Sequence, residues 1–117
     1  MTTKIDGTNG VVFPDSTTQA TAAYTFGVGQ TWQDVTASRA GGVTYTNSTG
    51  KPIFVCVSIP VSGTAGSLTL TVNSIAVSRF NNANTSAQGT ASAIVPNGVS
   101  YSVSVGAGSI SVWAELR

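Results

Sequence analysis

The sequence predicts an all-β protein: an antiparallel, jelly-roll-like β-sandwich of about eight strands behind an extended N-terminal neck. Three observations predict it. First, strict two-residue alternation recurs, with Leu68, Leu70 and Val72 set against Ser67, Thr69 and Thr71. Val99, Tyr101, Val103 and Val105 are set against Ser100, Ser102 and Ser104 in the same way. That period is the mark of half-buried strands. Second, glycine-rich connections (NSTGKP, SGTAGS, GAGS) and the Asn97-Gly98 pair punctuate these runs at the short spacing of a sandwich. Third, 41% of residues are hydrophobic but only 8% are charged, while 17 Thr, 15 Ser and 13 Gly supply the polarity. Short hydroxyls therefore replace the usual Lys and Glu surface, and the β-branched and aromatic residues rule out a disordered chain.

Taken in order, residues 1–26 read as the neck and residues 27–117 as the sandwich. The neck holds one short apolar run, Val11–Phe13, too little for a core, so it is a linker or packs against copies of itself. Its PDSTTQATAA stretch carries the one helical hint, a short turn capped by Asp15 or Ser16. The strands then follow: TWQDVT, GVTYT, PIFVCVSI, SLTLTV, SIAVSRF, GTASAIV, VSYSVSV and SISVWAEL. In PIFVCVSI, Ile53, Val55, Val57 and Ile59 face one way while Phe54 and Cys56 face the other. Such a strand is central, or its second face meets another subunit. Ile75 and Val77 are expected inward. In the last strand Ile110, Val112, Ala114 and Leu116 form one face, which leaves Trp113 on the opposite one, exposed or at an interface. Asn97-Gly98 reads as a hairpin.

The composition also excludes functions. A net charge of +1 is too small to hold nucleic acid or an anionic membrane by counterion release. No run approaches the ~20 apolar residues of a membrane-spanning helix, and no secretory signal is visible at Met1. Cys56, the single cysteine, permits no internal disulfide and reads as a buried structural thiol. The sequon matches at Asn47 and Asn84 read as chance without a secretory route. There is no histidine to act as base or metal ligand. The four acids, Asp6, Asp15, Asp34 and Glu115, lie in neck, turn and strand contexts, and none but Asp34, beside Trp32, is flanked by the aromatic residue that a sugar subsite wants. The reading is not an enzyme, with no cofactor and no metal. Trp32 is expected to anchor the core edge; Asp34 and Arg39 flank a tight connection and can pair across it, either as a surface ion pair holding a turn or as a ligand clamp.

Neutral polar recognition remains, and it wants planar amides and an aromatic platform. RFNNANTSAQG offers Arg79, Asn81, Asn82, Asn84 and Gln88 in one polar stretch; Trp113 is the aromatic candidate.

GTNGVVFPDSTTQATAA resembles the linker of tailed-phage and prophage tail fibre proteins, in which a glycine, a short apolar run, a Pro-Asp turn and a Thr/Gln/Ala stretch precede the terminal domain. GVGQTWQDVTASRAGGVTYTNSTGKPI resembles the start of a C-terminal tip domain of such fibres. The two stretches cover residues 7–53. The resemblance implies a homotrimeric receptor-binding tip, assembled in the host cytoplasm and carried on the virion beside other tail proteins. It also implies a host cell-surface polysaccharide as partner. It supplies no receptor motif to carry over. Two further classes fit the residues: a structural virion or tail-tip protein, and a free-standing lectin-like module.

Overall fold

Alternating side chains need two apolar faces to close on each other, and this chain supplies them from strands that cross repeatedly between two sheets. The computed structural model describes residues 2–8, 10–20, 26–60, 66–82 and 88–117. Near the N-terminus β1 (Lys4–Asp6), β2 (Gly10–Val12) and β3 (Thr18–Gln19) form a small antiparallel sheet in the order β1-β2-β3. Eight further strands build the sandwich. The first sheet has the order β4 (Trp32–Asp34), β11 (Val112–Leu116), β6 (Ile53–Ile59), β9 (Gly89–Val95). The second has the order β5 (Thr44–Thr46), β10 (Ser100–Ala107), β7 (Gly66–Val72), β8 (Ile75–Asn82). Within the sandwich only β7 and β8 are consecutive neighbours in one sheet; every other connection crosses. This is the strand order of a jelly roll.

The core lies between the sheets. Ile53, Val55, Val57 and Ile59 of β6 meet Leu68, Leu70 and Val72 of β7 and Tyr101 and Val103 of β10, with Ala91, Val95 and Trp113 completing it. All are buried. Each large aliphatic side chain so removed from water contributes about 1.5–3 kcal/mol before entropic costs. β6 alternates buried and half-buried residues along its whole length, as its two-faced sequence requires. It is an interior strand, between β11 and β9.

Four local expectations are corrected. Asn97-Gly98 does turn the chain, with Gly98 at φ 78°, but it links β9 to β10 in opposite sheets and makes no hairpin. It is tied instead to the β5–β6 connection: Gly98 N–H donates to Asn47 O at 2.7 Å, and Gly50 N–H to Asn97 Oδ1 at 3.0 Å. The true hairpin is Val72–Ile75, closed by Asn73 and Ser74 at φ 50° and 65°. In β8, Leu70 pairs with Ser78 and Thr71 with Ala76, so Val77 is the extra residue of a β-bulge. The bulge shifts the parity: Phe80 packs on the core, while Ile75 and Val77 are exposed. In β11 the faces are the reverse of those expected, since Trp113 is fully buried and Val112 is exposed. The Asp15 segment forms no helix. Ser16 N–H donates to Phe13 O at 2.9 Å in a turn leading into β3, and residues 21–25 lie outside the described ones.

Ser74 holds a left-handed conformation that glycine adopts without a Cβ clash, and Asn-Gly suits a two-residue hairpin. Ser74→Gly should stabilise the protein by about 0.5 kcal/mol, a rise in Tm of roughly 3 °C by calorimetry. A lower Tm would contradict this turn geometry.

Candidate functional site

The densest group of functional side chains is inside the sandwich, around Glu115. Its Oε1 accepts hydrogen bonds from Arg39 Nε at 3.1 Å, Tyr101 Oη at 2.7 Å and Trp113 Nε1 at 3.1 Å. Its Oε2 accepts from Arg39 Nη2 at 3.2 Å and Arg117 Nη1 at 2.9 Å. Arg39 also lies 4.6 Å from the centre of the Tyr45 ring, which meets Trp113 edge-on. Burial opposes the charge on Arg39, but its bonds to Glu115 and the nearby carboxylate outweigh this and raise its pKa. Burial, then the hydrogen bond to Glu115 and its charge, pushes the Tyr101 hydroxyl up to about 12. Among the described residues no buried side-chain polar atom lacks a partner. The cluster holds the fold. Arg39 therefore pairs with Glu115 and not with Asp34. Trp113, an expected recognition residue, is a core residue and offers no surface platform.

The other acids serve turns through one repeated device, in which an Asx side chain accepts from the threonine two residues on. Asp6 Oδ1 accepts from Thr8 N–H at 2.8 Å. Asp15 Oδ1 accepts from Thr17 Oγ1 at 2.6 Å and its N–H at 3.0 Å. Asp34 Oδ1 accepts from Thr36 Oγ1 at 2.6 Å and its N–H at 3.0 Å. Those bonds hold the Asp15 and Asp34 carboxyls below their ordinary pKa. Asn47 does the same with Thr49, and its buried Nδ2 donates to Lys51 O at 2.7 Å and Val95 O at 3.0 Å. The asparagine of the first sequon match is thus buried, while Ser48 and Thr49 of its turn are exposed.

The expected recognition stretch is divided. Arg79 and Asn81 are exposed and share the outer face of β8, opposite Thr69 and Ser67. Asn82 ends β8, Asn84 lies outside the described residues, and exposed Gln88 precedes β9 on the other sheet.

The two outer faces of the sandwich differ in chemistry. Register on the second sheet aligns Thr44, Ser102 and Thr71, then Ser104, Thr69 and Arg79, all outward. A hollow of about 70 Å³ opens on this face, lined by Thr44, Thr71, Ser74, Ser100, Tyr101 and Ser102. On the first sheet, register aligns Trp32, Leu116, Phe54 and Ile94 in one outward row across all four strands. Trp32 is 56% and Ile94 54% exposed. Trp32 does not anchor the core; its ring packs edge-on against Phe54 at 5.8 Å on the outside. The next outward row holds Asp34, Ala114, Cys56 and Ser92, so it is polar at both edges, and Cys56 is half-buried there, not enclosed in the core.

Compared with family models, curated proteins and solved structures, the chain matches none.

The raised Tyr101 pKa has a pH consequence. An unfolded tyrosine ionises near 10 and the folded one near 12, so the native state retains the proton longer. This contribution to stability is complete below about pH 10 and is lost as pH rises towards 12. Denaturation of Tyr101→Phe across pH 9–12 should show a lower starting stability and a shallower alkaline decline than the parent. Parallel declines would contradict the assignment.

Proposed function

We propose that this chain is the receptor-binding tip of a homotrimeric tail fibre, joined by its neck to the shaft and recognising a host-surface glycan. One observation carries the reading: one outward row of the first sheet, Trp32, Leu116, Phe54 and Ile94, is apolar across all four strands and leaves Trp32 and Ile94 more than half exposed. β11 illustrates this, because its outward residues Val112, Ala114 and Leu116 are as apolar as a core stripe. Such a face suits contact with further copies of the chain, and a net charge of +1 offers little repulsion against association. The neck sheet has the same character: Ile5, paired with Val11, is 84% exposed. The resemblance of residues 7–53 to fibre linkers and tips, and the jelly-roll order itself, add support by analogy. The second sheet, clothed in hydroxyls, remains free to face a ligand.

Light scattering should give three times the chain mass of 11.8 kDa at micromolar concentration. Ile94→Asp puts a charge in the apolar row and should lower that mass, leave the far-UV circular dichroism unchanged and speed thiol labelling of Cys56. A monomeric parent protein would remove the trimer, and with it the fibre reading.

A further inference from the structure

We propose that the outer face of the second sheet is a binding site for an anionic saccharide. The hydroxyl-lined hollow takes a sugar ring, and Arg79 takes a negatively charged substituent beside it. The inference deepens the glycan-recognition half of the fibre reading and names its ligand class.

The first support is the disposition of charge. The chain has five basic side chains and four acidic ones. Arg39 and Arg117 are both bound to Glu115. Lys51 Nζ donates to Val28 O at 3.5 Å, and Lys4 lies in the neck. On the acidic side, Glu115 is buried and each aspartate is engaged with a threonine two residues on. Arg79 is exposed, and among the described residues it has no ion pair. A guanidinium presents planar donors matched to carboxylate, phosphate or sulfate oxygens, so its unmet complement is an anion.

The second support is what surrounds it. Arg79 stands in register with Thr69 and, one strand further, Ser104; Asn81 stands opposite Ser67. The hollow begins in the adjacent outward row at Thr71 and Ser102. Two residues along a strand span about 7 Å, so the row of Arg79 is about one sugar residue from the hollow. Five of the six lining residues carry short hydroxyls, each both donor and acceptor, which complements the hydroxyls of a sugar ring. The hollow is small and shallow, which suits one ring and not a large apolar ligand. A neutral ring alone would bind weakly; the charge-assisted contact adds both affinity and the choice of an acidic ligand.

The test is a panel of anionic oligomers bearing carboxylate, phosphate or sulfate groups, set beside a neutral glucan that shares the backbone of the sulfate arm, titrated by calorimetry at low and physiological salt. The carboxylate arm is oligogalacturonate, the phosphate arm a glycerol-phosphate oligomer, the sulfate arm dextran sulfate, and the neutral arm dextran. At least one anionic probe should bind better than dextran, and salt should weaken it. Arg79→Ala should reduce that binding roughly tenfold or more, and Arg79→Lys should restore part of it. Ser102→Ala should weaken the same probe with an unchanged dependence on salt. The arm that binds identifies the source of the charge. Equal binding by parent and folded Arg79→Ala, or binding of none of the anionic probes at millimolar concentration, overturns the proposal. A trimer that ignores every acidic probe sinks this site and leaves the fibre reading. A monomer that binds one in an Arg79-dependent way does the reverse.

Discussion

The Glu115 carboxylate, fully buried, is bonded from both sheets at once. Tyr101 reaches it from β10 of the second sheet, and Trp113 from β11 of the first. Arg39 reaches it from the connection that carries the chain from β4 to β5, and Arg117 from just beyond β11. Apolar packing drives the sheets together but is non-directional. Five hydrogen bonds converging on two oxygens fix which strand lies over which. Removing a carboxylate and its arginines from water is costly, and only such close and complete pairing offsets the cost. The surrounding aromatic rings depend on it too, since Tyr45 packs against Tyr101, Trp113 and the Arg39 guanidinium.

This arrangement shapes the surface. Two of the five basic groups and one of the four acids are committed to this one cluster, in a chain that has few charges to begin with. The outside of the sandwich is left to hydroxyls on one sheet and to an apolar row on the other. The Trp32–Leu116–Phe54–Ile94 row faces water in the single chain, with Trp32 packed on Phe54 and with Trp32 and Ile94 exposed. The same scarcity of charge makes Arg79 stand out. In an ordinary surface a single arginine carries little information; here it is the exposed cation of a hydroxyl-rich face.

Much of this fold is legible in the sequence because period-two alternation is a local property. Ser/Thr alternating with Leu/Val marks β7 and β10 and assigns their faces correctly, and the continuous apolar run of β6 marks an interior strand. The misplaced tryptophans, Trp32 and Trp113, share one physical cause: face assignment by counting apolar residues fails where the outer face carries an apolar row as well. β11 has Val112, Ala114 and Leu116 on one side and Trp113 and Glu115 on the other, so counting selects the wrong side. The combination of a buried tryptophan with a charged residue two positions on becomes intelligible only once Arg39 and Tyr101 are brought alongside. The Val77 bulge was equally hidden, because one inserted residue reverses parity with no composition signal of its own. The Asx-x-Thr turns were within reach, since Asp6-Gly7-Thr8, Asp15-Ser16-Thr17, Asp34-Val35-Thr36 and Asn47-Ser48-Thr49 repeat one pattern. Of the residues expected to bind, Arg79 and Asn81 lie on one outer face, as their two-residue spacing on a strand allows, while the parity of β11 places Trp113 in the core.

The central claim is that Glu115 ties the sheets together by its charge, and equilibrium denaturation of Glu115→Gln tests it most directly. The amide keeps the size of the side chain but leaves two guanidinium groups without their counter-ion. Because Arg39 and Arg117 keep partial contact with solvent, with side-chain exposures of 16% and 32%, the loss should fall at or below the usual range for a broken buried pair. A destabilisation of about 2–4 kcal/mol is predicted. A denaturation midpoint within about 0.5 kcal/mol of the parent would contradict it and leave the apolar core alone to set the packing of the two sheets.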